Sequence, residues 1–462
     1  MPESLTRREF MKELGKLGAA ASIAPMVLAG EQMSDKPFSI KRPSFIKEVD
    51  EPTTEIRWDE VKRIAEGEVT VRRSFSKYIS QDRIDKLTDI RTANMDKYLK
   101  EGRDGYTLKD HALKAGAGKG GVSRVFIQDP EKVKTPESLG VPKWTGTPED
   151  ATMIVSAALR HYGAASVGVV ELDTNTTEKL IYAKDPDGKE MRIEDADIPE
   201  EGEDYRVIPK KARWMITYTV QMSEETMIRC PTHLGTQTTS LTYRRSQNVQ
   251  ERGQHFLGVL GYMAMGESST NALAIAPALG VMSGLGELSR YNRLLTPEYG
   301  SMVRVFKILT DLPMAPTKPI NAGLLEFCKS CTKCADHCPS KALSFEKEPY
   351  WETIGGWNNP GHKAWFEDSV KCRSYWYETG NNCGICFAVC PFASKNLSSY
   401  SRVRDYLTAT VPAFDGTLTK IDDLLYTPYT EFGKPQKTAE SWWRMNLPDY
   451  GISTDQTVRE TS

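Results

Sequence analysis

The sequence predicts an α+β protein with a compact cysteine module toward its C-terminal end, and three observations predict it. Eight of the nine cysteines fall between Cys328 and Cys390. Thr147-Pro148-Glu149-Asp150 opens a helix, with a threonine cap, proline in the first position and acids in the first turn. Ser166–Leu172 and Trp214–Met222, rich in Val, Ile, Thr and Tyr, read as strands. With 462 residues, 39% of them hydrophobic, there is material for roughly two or three domains. A net charge of -2 offers no basic footprint, which argues against a nucleic-acid partner.

Taken in order, residues 1–30 read as a targeting segment. Thr6-Arg7-Arg8-Glu9-Phe10-Met11-Lys12 has the twin-arginine form, and the apolar run from Leu14 to Ala29 is too short and too weak to span a membrane. Val27-Leu28-Ala29 is the candidate cleavage site. This predicts export of a folded, cofactor-loaded protein to the outer face of the cytoplasmic membrane. No other apolar run approaches spanning length, so peripheral attachment would come from a partner. Residues 31–140 are polar and charge-mixed, with helices expected near Trp58–Glu66 and Ser80–Lys100. Gly116 to Gly121 lacks the spacing of a phosphate loop and reads as a flexible turn.

Residues 141–320 form the expected α+β core. Its first helix runs from Thr147 to about Tyr162, and its strands are joined by Asp185–Asp204, which reads as a solvated insertion. Arg245–Ala264 reads as a helix with Val249, Phe256 and Leu260 on one face. Gly280 to Gly286 is a glycine-rich turn that would let backbone approach a large ligand. Residues 321–400 hold the cysteines, interrupted by an aromatic insertion at Tyr350–Trp365. Residues 401–462 read as a wrapping tail.

The cysteine spacing carries chemistry. Cys328-x-x-Cys331-x-x-Cys334-x-x-x-Cys338-Pro339 is followed by Cys372 and by Cys383-x-x-Cys386-x-x-x-Cys390-Pro391. Each iron of a [4Fe–4S] cube needs one thiolate, and in two-cluster ferredoxins the cysteine before proline ligates the other cube. The ferredoxin-like spacing therefore assigns Cys328, Cys331, Cys334 and Cys390 to one cluster, and Cys338, Cys372, Cys383 and Cys386 to the second. The triplet suits one tetrahedral zinc poorly, and nine cysteines in a long chain do not make a disulfide scaffold. Two cubanes move single electrons, and some 300 residues precede them, so an acceptor is expected there. No Gly-x-Gly-x-x-Gly opening a helix after a strand, and no Cys-x-x-Cys-His haem site, offers one.

Four stretches carry a resemblance: Pro142-Lys143-Trp144-Thr145-Gly146-Thr147-Pro148-Glu149, Tyr162-Gly163-Ala164-Ala165-Ser166-Val167-Gly168, Ser283-Gly284-Leu285-Gly286-Glu287, and Leu309-Thr310-Asp311-Leu312-Pro313. With the signal and the cysteine order, they resemble the corrinoid-dependent reductive dehalogenases of organohalide-respiring bacteria, over about residues 140–415. The resemblance implies a nitroreductase-like corrinoid-binding core beside the two-cluster module. It also implies a base-off cobamide with no protein histidine on cobalt; among the six histidines, none sits in an Asp-x-His-x-x-Gly motif. Electrons would pass from the outer cluster to the inner one and on to cobalt, and a halogen, such as chlorine of an ethene or ethane, would be replaced by hydrogen. Tyr243, just ahead of the expected helix, falls at the family's proton-donating tyrosine. Arg304 or Lys307 would be the cation that steadies its phenolate, and Asn271 a polar partner. Ser283, Gly284, Leu285, Gly286 and Glu287 would contact the corrinoid, and aromatic residues around 350–377 would wall the pocket for a small halogenated substrate. The family implies two further partners, a small integral-membrane anchor protein and a membrane electron donor.

Two other readings compete. Epoxyqueuosine reductase, a tRNA-modifying enzyme, is similar in its corrinoid and paired cubanes, but it works on RNA in the cytoplasm, and the arginine pair and the missing basic patch oppose it. An exported, non-catalytic iron–sulfur carrier would lack corrinoid.

Overall fold

The computed structural model describes residues 42–69, 71–121, 123–393, 399–425, 429–431 and 434–447. The twin-arginine pair Arg7-Arg8 and the Val27-Leu28-Ala29 cleavage site lie outside them.

Ahead of the core the two longest helices among the described residues are α1 (Gln81–Lys100), capped by Ser80, and α2 (Leu108–Ala117), closed by a capping box between Thr107 and Asp110. The helix expected near Trp58–Glu66 does not form over that span. Its end is extended instead, with the Ile64 carbonyl and the Glu66 amide paired to the chain at Ala183 and Lys184. The apolar residues of this stretch pack outward onto the core rather than recurring along one helical stripe, and Trp58 and Val61 join the cluster around Ile181 and Met215.

The core opens with α3 (Pro148–His161). Thr147 accepts the Asp150 amide at 3.1 Å while Asp150 accepts the Thr147 amide at 3.1 Å, so two orphan donors are satisfied reciprocally. Ala151, Val155 and Leu159, four apart, are its buried face. After β1 (Ser166–Glu171), the charged segment expected to be a solvated insertion contains β2 (Glu190–Glu194) and β3 (Glu200–Glu201), which join β4 (Tyr205–Pro209) in a three-stranded sheet. Charge density hid this sheet. Asp185 and Arg206 are both buried and form an ion pair, and Met191 is buried beside them.

The central sheet has the order β1, β5 (Trp214–Gln221), β7 (Val303–Thr310), β6 (Met265–Gly266), antiparallel throughout. In register, Arg304 lies opposite Val220 and Lys307 opposite Thr217. One face is covered by α3 and by α4 (His233–Leu260), through Val155, Leu159, Val249 and Leu257. The other face receives α5 (Ala276–Met282) and its following turn, where Ser283 meets Thr217, Oγ to Oγ, at 2.6 Å.

Helix α4 runs 28 residues, starting a dozen before the expected Arg245. The missed part, His233–Arg244, is rich in threonine, a poor helix former. Tertiary burial overrides that preference. Thr232 caps the helix by accepting the Gly235 amide at 3.1 Å, and the Thr236 and Thr242 hydroxyls donate to carbonyls four residues back, at 3.1 and 2.8 Å.

The cysteine module contains α6 (Leu324–Ser330) and α7 (Ser369–Thr379). Its core includes Leu324, Phe327, Ala335, Ile385, Val389 and Phe392. Beyond it, α8 (Ser399–Thr410) and α9 (Asp415–Leu425) send Leu407 and Leu418 into that same core. Residues 401–425 are thus part of the module, and only the last piece wraps. There α10 (Ala439–Trp443) lays Trp442 against Leu234, and the Asp104 carboxylate accepts the Ala439 amide at 2.9 Å.

Candidate functional site

All eight clustered cysteines line the module's interior, from fully buried to half-buried. The thiols of Cys328, Cys331, Cys334 and Cys390 feel one another's charge, and those of Cys338, Cys372, Cys383 and Cys386 do likewise. Between the two sets the link is Cys334 with Cys386. Burial pushes the Cys331 and Cys383 thiols up to about 12 and raises Cys328, Cys334, Cys372, Cys386 and Cys390 too. Thiols so placed hold their protons unless iron takes the proton's place. Among the described residues, no three or more His, Cys, Asp or Glu side chains gather as a single metal ion requires. A cubane asks for something different, four sulfurs spread around a larger group.

Tyr243 is not at a strand-to-helix junction. It sits in the middle of α4, eleven residues after the threonine cap, because the helix begins earlier than its propensities suggest. Its ring meets Phe306 of β7 edge-on, with centroids 5.8 Å apart. The Arg304 guanidinium lies 5.7 Å from the centre of that ring and 5.3 Å from the ring of Phe387, which belongs to the last cysteine run. Arg304 Nη2 donates to Thr239 Oγ1 at 3.3 Å, one helical turn before Tyr243, while Arg304 Nε is buried without a partner. Tyr243 and Arg304 therefore meet at the seam between core and module.

Lys307 is elsewhere. Strand alternation turns it to the opposite face of the sheet from Arg304. It is fully buried and its Nζ lies 2.7 Å from Glu267, whose other oxygen is 3.4 Å from Arg124. Burial lowers the Lys307 pKa against the pull of Glu267. Its charge is spent inside the core, so the residue expected as an alternative active-site cation is a structural ion pair. Asn271 adopts φ 65° in a turn, a conformation asparagine tolerates well.

The glycine-rich turn is packed against the chain's own backbone. Gly284 has φ 71°, and a Cβ there would stand 2.0 Å from the Lys318 carbonyl; at Gly286 it would stand 2.2 Å from the Leu295 carbonyl. The amides of Gly284 and Leu285 are bonded to Val281 and Gly280. Ser283 is held by Thr217, and Leu285 is fully buried. Glu287 is buried and accepts the amides of Ala322 and Leu324 at 2.9 and 3.0 Å and the Thr53 hydroxyl at 2.7 Å. Burial raises its pKa. Of these five residues, expected to contact the cofactor, the two glycines let stretches of core backbone pack closely, and Glu287 alone reaches the module, through the Ala322 and Leu324 amides.

Sequence reasoning missed Arg290, Tyr291 and Arg293. Arg290 is fully buried and donates to the carbonyls of Cys328 and Cys331 at 3.0 and 2.9 Å, and to those of Ser344 and Glu346 at 3.0 and 2.7 Å. Arg293 pairs with Glu367 at 2.9 Å, which raises its pKa, and lies near Cys372, Cys386 and Tyr243. Their only sequence signal is a short run of arginines and a tyrosine directly after the glycine turn. Of the aromatic residues around 350–377, Trp365 is fully buried under Arg290, at 4.5 Å, and so packs the module rather than walling a pocket.

A family model described as "Reductive dehalogenase subunit" matches residues 41–188 and 189–314, and a "4Fe-4S double cluster binding domain" matches residues 327–393. A trichloroethene reductive dehalogenase of Dehalococcoides mccartyi is 32% identical over 68% of this chain and 60% of its own length. A tetrachloroethene reductive dehalogenase of Sulfurospirillum multivorans is 29% identical over 98% of this chain and 95% of its own. A solved reductive dehalogenase, described in terms of B12-dependent dehalogenation, shares the fold with a TM-score of 0.58 and 22% identity, over 85% of this chain and 52% of that one.

The opposite fates of Arg304 and Lys307 make a prediction. Lys307→Met should cost about 3 kcal/mol or more in denaturant unfolding, since it strands part of a buried carboxylate's charge. The folded fraction should keep turnover within a few-fold. Turnover lost with stability intact would return Lys307 to the site.

Proposed function

This chain belongs to the reductive dehalogenase family, and from that premise we propose that it replaces a carbon-bound halogen by hydrogen in a small chlorinated aliphatic compound. The supporting observation is the meeting of Tyr243 and Arg304 with the cysteine module at one seam. The substrate class rests on the relatives, which are named for trichloroethene and tetrachloroethene.

The family depends on a corrinoid, and the double-cluster domain carries two [4Fe–4S] clusters. The residues present fit both. Eight buried thiols in two sets of four suit two cubanes, and the unpartnered Arg304 Nε at the seam suits a macrocycle rimmed with amide oxygens. When bound, the corrinoid supplies the low-valent cobalt chemistry that opens a carbon–halogen bond. Cys328, Cys331, Cys334 and Cys390 would hold one cluster and Cys338, Cys372, Cys383 and Cys386 the other, and the pair would supply single electrons. The second set is the nearer to Tyr243, because Arg293 adjoins both.

The chain's own part is proton delivery and positioning. Tyr243 holds the proton that completes the product, and Phe306 fixes its ring edge-on. Arg304 stands close enough to stabilise the phenolate left behind, and Thr239 orients Arg304. The twin-arginine segment exports the loaded enzyme. No helix among the described residues is long and apolar enough to cross a membrane, so an anchor protein and a membrane donor complete the system.

Three outcomes test this reading. With reduced methyl viologen, wild type should dechlorinate ethenes faster than chlorinated aromatics, and Tyr243→Phe should lose about 10²–10⁴-fold in rate with iron and cobalt contents unchanged. A Tyr243→Phe rate within a few-fold of wild type would remove the tyrosine from the chemistry. Cys338→Ala should alter the electron paramagnetic resonance of the cluster held by Cys372, Cys383 and Cys386 and spare the one that begins at Cys328; the reverse pattern would refute the crossed ligation. Finally, replacing Arg7 and Arg8 with lysine should leave an unprocessed precursor inside the cell, active with artificial donors. Unchanged export of that variant would overturn the targeting assignment.

A further inference from the structure

The hydroxyl of Tyr291 is buried, the residue is only 3% exposed, and that oxygen forms no hydrogen bond of ordinary geometry. A buried donor without an acceptor costs about 1–3 kcal/mol, so a fold that keeps one has an acceptor for it in its working state. The polar neighbours of Tyr291 are few. They are the sulfurs of Cys390, Cys386 and Cys334 and the hydroxyl of Ser301. Ser301 already donates to the Phe387 carbonyl at 3.3 Å. The Tyr291 hydroxyl is set against both the Ser301 hydroxyl and the Cys390 sulfur, and among the described residues neither forms a hydrogen bond with it. The Tyr291 ring is held in place by Phe387, with centroids 5.4 Å apart.

The two cysteine sets have different surroundings. Next to Tyr291, Arg290 puts a full positive charge against the backbone of Cys328 and Cys331, answered only by carbonyls. The Thr419 side chain also reaches the Cys331 sulfur. At that first set the Asp422 carboxylate also bears on Cys390, but it is paired with Lys333 at 2.6 Å and opposed by Arg404. Around the other set the Glu367 carboxylate bears on Cys372, Cys383 and Cys386 and is balanced by Arg293. Reducing a cube adds one electron and so one negative charge. Hydrogen bonds to sulfur and nearby cations favour that added charge, and a carboxylate opposes it.

Resting on the two-cluster reading above, we propose that the Tyr291 hydroxyl donates to the Cys390 sulfur and makes the cluster held by Cys328, Cys331, Cys334 and Cys390 the easier of the two to reduce. Tyr291 is then a positioning residue of the electron path. It keeps its proton throughout, and one electron from a low-potential donor is all that enters. The outer cluster acts as a reservoir that stays reduced, while the Glu367-flanked cluster beside Tyr243 remains the stronger reductant.

The test uses the whole loaded enzyme in a potential titration with dithionite and mediators, followed by electron paramagnetic resonance. In wild type the Cys390 cluster should reduce first. Tyr291→Phe removes one oxygen and should leave iron content unchanged, while the Cys390 cluster becomes about tenfold less reduced at a fixed poise, about 59 mV for a one-electron couple. After exchange into deuterated water, pulsed spectroscopy should show an exchangeable deuteron coupled to that cluster in wild type and in Ser301→Ala, and not in Tyr291→Phe. An unshifted titration with full iron, or a deuteron signal that survives Tyr291→Phe, would overturn the assignment while leaving the two-cluster reading intact. Loss of iron in Tyr291→Phe would also overturn it, by making the residue a packing element. Wild type without two cubane signals would instead remove the cluster reading itself.

Discussion

Arg290 carries a full positive charge into a place water does not reach, and satisfies it with backbone. Moving an ion from water into a protein interior costs several kcal/mol unless every donor is met. Here the guanidinium meets carbonyls of Cys328, Cys331, Ser344 and Glu346, and its flat face covers Trp365. One side chain from the core thereby fixes the start of the first cysteine run and the loop that follows it. The cysteines cannot converge unless that loop is held. Core and module are coupled by this charge as much as by apolar contact.

The same seam sets the chemistry. Tyr291, Phe387, Arg304 and Tyr243 form a continuous line of rings and one guanidinium, each about 5–6 Å from the next. The line starts at Tyr291, beside Cys390, and ends at Tyr243 in α4, so it joins the cysteine module to the core. The Tyr291 end of this line is buried, and Phe387, Arg304 and Tyr243 are half-buried, so the charge of Arg304 is only partly screened.

Small residues and charges mislead when read along the chain. Gly284 and Gly286 have the permissive backbone that a ligand loop needs, yet the atoms pressed against them are carbonyls of the same chain. Lys307 and Arg304 are three apart and both cationic. In a helix they would share a face, but in β7 they point to opposite sides of a sheet. One of them neutralises Glu267, and the other is left for the seam.

Sequence alone determined the cysteine chemistry, the α3 cap and two strands of the central sheet, because each depends on residues close together in the chain. Ligand spacing, the Thr147–Asp150 box and the Val-, Ile- and Thr-bearing β1 and β5 are local facts, and local physics suffices for them. Tertiary structure alone decided where α4 begins, since its threonine-rich first third is helical only when buried. It also decided that residues 401–425 complete the module core and that Arg304 rather than Lys307 faces Tyr243. Above all it brought Arg290 and Tyr291 to the cysteines, across some forty to a hundred residues of chain. A side chain's partner at that distance is set by how two sheets of backbone pack, and no pattern of spacing encodes it.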